Sequence, residues 1–212
     1  MIRENLLYKV MSYLHITLFV SLCCALTIVL SGTLLLLPAV AAVFRIGREI
    51  LYKKEDVNES IVKTYLLYLK DSLYLMKFVG VELIFLLNLA SLYLFAGQQG
   101  VILSVAALAA AAFLLIFQLY IAGYFVFVAE KFTMEEAAFA MILRPAFLIP
   151  LFAAMVLLLF FFNLTIAVIL LFTGAFFLFA LQVPVFIQML FYRKMRGTLD
   201  ETDAFYYLVK KM

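Results

Sequence analysis

Two long stretches of this chain carry no charged side chain. Leu83 to Ala129 runs 47 residues, and Pro145 to Tyr192 runs 48, without an Asp, Glu, Lys or Arg. As helix, at ~1.5 Å of rise per residue, each would extend roughly 70 Å, about twice the ~30 Å hydrocarbon core of a bilayer. A water-soluble domain of this size has no interior large enough to bury such helices on every face. Each stretch is therefore expected to form a helical hairpin that crosses a membrane twice.

Composition agrees with that reading. The 212 residues are 68% hydrophobic and 14% charged, against about 45–50% and 25% in a typical globular chain. The apolar runs are continuous rather than alternating, which argues against a transmembrane β-barrel and for helices that satisfy the backbone. The expected fold is an all-α polytopic bundle of about five spans, with amphipathic helices on the cytoplasmic side, in one membrane domain over 1–212. A net charge of +3 gives no footprint for a nucleic acid. Cys23 and Cys24 are adjacent inside the first apolar run and read as small packing residues. No metal or cofactor motif accompanies them. The first apolar run is also far longer than the core of a cleavable signal peptide.

The spans are expected at about 14–37, 78–96, 101–129, 146–162 and 166–191. Ser31-Gly32 and Pro38 interrupt the first span near its end, where a kink is expected. The helix continues into an amphipathic stretch to Lys53, in which Arg45–Glu49 and Glu49–Lys53 are spaced i,i+4. Asp56 with Glu59 resembles a capping box and starts a helix from about Asn58 to Ala96, too long for a simple span. Lys63, Lys70 and Lys77 recur every seven residues along it, predicting one basic stripe. Gly97-Gln98-Gln99-Gly100 and Asn163-Leu-Thr165 are the expected hairpin turns. Thr133 with Glu136 predicts a short capped helix that ends before Arg144-Pro145, and Thr198 with Glu201 predicts another at the C-terminus.

Basic residues collect on the cytoplasmic side of membranes. Five spans with the N-terminus outside and the C-terminus cytoplasmic place 14 of the 16 Lys and Arg inside, leaving Arg3 and Lys9 outside. A hairpin turn at Ser31-Gly32 would bring all 16 inside. Against that stands the stretch Thr33 to Phe44, whose 12 uncharged residues are too few for a span.

Polar groups within a membrane are the first place to look for function. Glu82 lies about one turn above Lys77, where it is expected to snorkel or pair with a base; the sharper alternative is a proton or substrate site. Asn88, Gln118 and Gln182 lie deeper, placed either to hydrogen-bond between helices or to line a polar path. Neither clustered charges nor paired broken helices are evident, which argues against a self-sufficient transporter. HExxH, GxSxG, GxxxxGK[ST] and CxxC are absent, so no catalytic residues, cofactor or metal are expected. On the cytoplasmic side, Arg45, Arg48, Lys63, Lys70 and Lys77 are candidates for contact with anionic lipid or a partner.

The segment Leu26–Leu75 combines a first span ending in Ser31-Gly32 and Pro38-Ala-Val-Ala-Ala, a charged break at Tyr52-Lys-Lys-Glu-Asp56, and an aromatic-basic helix, Ile61-Val-Lys-Thr-Tyr-Leu-Leu-Tyr-Leu-Lys70. Together with Glu130-Lys-Phe-Thr and the short helix after it, this resembles the YesL-type family of small bacterial integral membrane proteins. The resemblance implies the bacterial inner membrane, a neighbourhood of carbohydrate-utilisation genes and sugar ABC importers, and no catalytic residues. The resulting expectation is a non-enzymatic accessory or regulatory partner of a carbohydrate ABC importer, the lipid bilayer being its other partner. The alternative is an independent small-solute transporter.

Overall fold

A computed structural model describes residues 6–52, 60–96, 101–147, 168–203 and 205–211. Among these the chain is helical, with no strand. The helices are α1 (Leu6–Leu30), α2 (Leu36–Tyr52), α3 (Ile61–Ser72), α4 (Val79–Ala96), α5 (Val101–Phe127), α6 (Met134–Ile142), α7 (Val168–Met195) and α8 (Tyr206–Lys211). Among the described residues two stretches, Ile61–Leu92 and Ile102–Phe127, are long and apolar enough to cross a bilayer, and His15–Leu30 is a shorter apolar helix. The expected span at 146–162 lies outside the described residues beyond Phe147. So do the turns at 97–100 and 163–165 and the Asp56–Glu59 cap.

The first expected span is two helices, not one kinked helix. Gly32 and Thr33 both adopt left-handed backbone, with φ of 58° and 74°. This closes α1: the Thr33 amide donates to the Ile28 carbonyl at 2.8 Å and the Gly32 amide to Val29 at 3.2 Å. Pro38 therefore sits in the first turn of a new helix, where its missing N–H costs nothing, rather than kinking an old one. The chain then folds back. Ile16, Val20 and Cys24 of α1 share a buried cluster with Ala39, Ala42, Val43 and Ile46 of α2 and Tyr65 and Tyr68 of α3. Tyr65 Oη donates to Thr27 Oγ1 at 3.1 Å, and Tyr68, one turn on, donates to Glu49 of α2. Had α1 and α2 continued in line, Thr27 would lie roughly 30 Å from Ile46.

Helix α2 is the centre of the molecule. It touches α1, α3, α4, α5 and α7, and Ala39, Ala41, Ala42, Val43, Phe44 and Ile46 are fully buried. Small residues let its neighbours approach. At Gly47 a Cβ would collide with the Gln182 side chain of α7. Gly123 of α5 does the same for Val185, so α7 is seated against two glycines. The expected i,i+4 pair Arg45–Glu49 is replaced by longer-range contacts, because this face packs on α3: Arg45 meets Asp71, and Glu49 accepts from Tyr68.

The capping box at Thr133 forms as expected. The Glu136 amide donates to Thr133 Oγ1 at 3.4 Å, and the Thr133 amide donates to Glu136 Oε2 at 3.1 Å. The one expected at Thr198 does not. Gly197, with φ of 69°, ends α7, and the Thr198 hydroxyl donates back to the Arg193 carbonyl. The tail is tied instead by Asp203, which accepts from Arg193 Nη1 at 2.7 Å, Tyr52 Oη at 3.1 Å and the Asp200 amide at 2.9 Å.

Candidate functional site

The buried polar groups and the charges at the far end of α2 form two separate arrangements. The first surrounds the start of α2. A helix leaves its first amides without intrahelical partners, and in an apolar interior each must find an acceptor. Here every one is accounted for. The Leu35 amide donates to Ser31 Oγ at 3.2 Å and Leu36 to the Thr33 carbonyl at 3.0 Å. Leu37 donates to Glu82 Oε1 at 2.7 Å, Pro38 has no N–H, and Ala39 donates to Leu35 at 2.9 Å.

Glu82 is only 2% exposed. Neither a snorkel to water nor a neighbouring base describes it: its carboxylate caps the N-terminus of α2, 45 residues away in sequence. A carboxylate at that position also opposes the positive end of the helix dipole. Its second oxygen, Oε2, is buried without a partner. Gln118 is buried with both amide atoms unpartnered, and Gln182 has an unpartnered Oε1. Asn88 is half-buried on α4. Gln188 was not anticipated from the sequence; it is buried, and its Nε2 donates to the Ala140 carbonyl at 2.8 Å, tying α7 to α6.

The second arrangement is a cleft of about 360 Å³ where α2, α5 and α7 end. It is lined by Arg45 and Arg48 of α2, by Arg193 and Arg196 at the end of α7, by Phe125–Glu130 and by Thr198. Each arginine pair is spaced i,i+3, so each helix presents both guanidinium groups on one side. Arg45 pairs with Asp71 at 3.4 Å and Glu130 at 3.7 Å, and stacks over Tyr68. Arg193 pairs with Asp203 and donates to the Thr198 carbonyl at 2.8 Å. Arg196 pairs with Glu136 at 3.5 Å. Arg48 donates to the Val126 carbonyl and lies over the Tyr52 and Phe127 rings. Among the described residues no carboxylate lies within ion-pair distance of it.

Arg45 and Arg48 were singled out from the sequence, and the fold joins them to two arginines that were not. Arg193 and Arg196 follow the last uncharged run, where basic residues report topology, so only their i,i+3 spacing hinted at a site. The basic stripe is broken. Lys63 and Lys70 are exposed, but Leu73–Phe78 is a 3₁₀ segment. Each 3₁₀ residue turns about 120° instead of 100°, so Lys77 is rotated roughly 80° from Lys70 and roughly 60° from Lys63. It donates instead to the Phe132 carbonyl at 2.6 Å and lies over the rings of Tyr74, Phe78 and Phe132.

No family model, curated protein or solved structure matches the chain.

Proposed function

We propose that this chain is a multi-pass protein of the bacterial inner membrane that acts as a non-enzymatic accessory or regulatory subunit, making its contacts from the cytoplasmic face. The observation that carries this reading is how Glu82 is used. In transporters a broken helix can present its free N-terminus to an anionic substrate. Here the chain's own carboxylate occupies that position, so an anionic substrate would have to displace it. Chemistry open to a second molecule is concentrated at the other end of α2, in the arginine-lined cleft, and on α6, which exposes Met134, Phe139 and Ile142. The partner implied by the YesL-type resemblance is a carbohydrate ABC importer.

The fold-back of α1 favours a topology with both termini cytoplasmic. The objection that 12 residues cannot span disappears if α1 and α2 form a re-entrant hairpin whose turn stays within the bilayer. Leu37, beside that turn, packs in one core with Ala112 and Ile116, well inside α5. All 16 basic residues then lie inside, with α4, α5 and α7 among the crossings.

Two experiments test these statements. In a background lacking Cys23 and Cys24, an impermeant thiol reagent applied to intact cells should label Gln98→Cys and spare Asn5→Cys and Thr198→Cys. Labelling at Asn5 would remove the re-entrant hairpin. In-cell crosslinking followed by mild detergent extraction should recover an importer subunit, and its consistent absence would end the accessory reading. The transporter reading has one observation behind it, the unpartnered Glu82 Oε2 and Gln118 amide. Solute flux in proteoliposomes that is abolished by Glu82→Gln would establish it instead.

A further inference from the structure

We propose that the cleft formed by Arg45, Arg48, Arg193 and Arg196 binds a phosphate group. The first reason is charge. Four guanidinium groups and one carboxylate, Glu130, line the cleft. Like charges brought together in a confined, partly buried space repel one another unless an anion joins them. The other acids that pair with these arginines, Asp71, Asp203 and Glu136, are not among the residues lining the cleft. Such pairing fixes the side chains without filling the space between them.

The second reason is unspent hydrogen-bonding capacity. A guanidinium has five N–H donors in a fixed fork. Among the described residues, the contacts of Arg48 and Arg196 with acceptors use only Nη1 and Nη2 respectively. Capping of a helix end explains the bond from Arg48 to the Val126 carbonyl, and anchoring of the turn after α7 explains the bond from Arg193 to the Thr198 carbonyl. Neither explains why two helices aim four arginines at one space. Forks approaching from α2 and α7 suit a tetrahedral oxyanion better than a planar carboxylate, which one fork can saturate. A volume of about 360 Å³ lies in the range of small-molecule sites and admits a phosphate monoester with a glycerol- or sugar-sized substituent.

That chemistry has two possible sources, a soluble phosphate ester or the headgroup of an anionic phospholipid. The inference rests on the cytoplasmic-face reading for its biological setting, but binding is measurable on detergent-solubilised protein whatever the topology. A failed binding test and a failed labelling test are thus separate results.

The experiment uses the full chain in neutral detergent. Titration calorimetry with inorganic phosphate and glycerol 3-phosphate probes the soluble source. Thermal stabilisation in mixed micelles containing phosphatidylglycerol, against phosphatidylcholine, probes the lipid source. One source is expected to bind saturably. Arg48→Gln and Arg196→Gln should each weaken that binding about tenfold, as expected for one charge-assisted contact. Arg48→Lys, which keeps the charge and loses the fork, should be intermediate. Lys211→Gln, outside the cleft lining, should bind as the native protein does. Binding of the soluble esters with this ranking assigns the cleft to a soluble ligand, and stabilisation by phosphatidylglycerol alone with the same ranking assigns it to lipid. Arg196 is half-exposed, so its variant remains informative even if Arg48→Gln fails to fold. No binding from either source, or equal weakening by Lys211→Gln, overturns the proposal.

Discussion

Removing the Glu82 carboxylate should unfasten the start of α2, and the effect should depend on whether an acceptor remains. In Glu82→Leu the Leu37 amide loses its 2.7 Å partner and stays buried. A buried N–H left without a partner costs about 1–3 kcal/mol. Part of this is offset, because the unpartnered Oε2 is removed as well. A net loss of about 2 kcal/mol follows, or about 4–8 °C in midpoint for a chain of this length. Glu82→Gln keeps a carbonyl oxygen within reach of Leu37 and loses only the charge facing the helix dipole, about 1 kcal/mol or less. Thermal unfolding in mild detergent, followed with a thiol-reactive dye, reads the right region: buried Cys24 of α1 shares a cluster with Ala39 in the first turn of α2, and Cys23 packs against that cluster. Hydrogen exchange gives a local check, since the amides of Leu35, Leu36, Leu37 and Ala39 should lose protection ahead of the rest of α2 in the Leu variant. If Glu82→Leu melts with the native protein and those amides stay protected, the capping argument is wrong.

Gly123→Ala should destabilise by about 1–3 kcal/mol, because the new Cβ meets stiff, buried Val185; Gly47→Ala should cost less, because the flexible end of Gln182 can yield, and chemical denaturation in mixed micelles ranks the two. Asp203→Asn should loosen the C-terminal tail, since Asp203 ties together Arg193, Tyr52 and the Asp200 amide. Limited proteolysis should then cut after Arg196 faster than in the native protein while the melting point of the bundle moves little. Thr33→Gly should be neutral or stabilising by up to about 1 kcal/mol, because Thr33 holds a φ of 74° that a β-branched residue adopts at a cost; a clear loss of stability would show that the Thr33 side chain contributes to the turn.

Hydrophobic runs and local caps were legible because both are properties of neighbouring residues. The helical stretch from Ile61 to Ala96 and the Thr133–Glu136 box were readable on those grounds. The break at Ser31–Thr33 was visible as Ser-Gly followed by Pro. Its consequence was not, because a second left-handed residue at Thr33 contradicts local preference and is held by the carbonyls of α1. Glu82 was expected to snorkel or pair with a base, and its burial was not legible, since its acceptor role serves a backbone amide 45 positions away. The seven-residue lysine stripe failed for a different reason. Periodicity assumes one helix type, and the 3₁₀ segment at Leu73–Phe78 changes the phase beneath Lys77. The arginine cleft needs three helix ends to converge, which no window along the sequence contains.

The two arrangements are linked through α2. Its N-terminus is fixed in the core by Glu82 of α4, and 45–52, at its far end, presents Arg45 and Arg48 to the cleft. Between them the helix is buried on every side, so neither end can rotate or slide without disturbing α1, α3, α5 and α7 together. Helix α7 meets this column at Gly47 and α5 at Gly123, and supplies the opposite wall of the cleft. Asp203 then joins Arg193 on α7 to Tyr52 at the end of α2. The cleft is thus set by interior packing rather than by mobile surface side chains, which is what a site needs if its guanidinium groups are to hold a geometry before any anion arrives. By seating α2 and α7, the packed helices fix the distance between two pairs of like charges that would otherwise move apart.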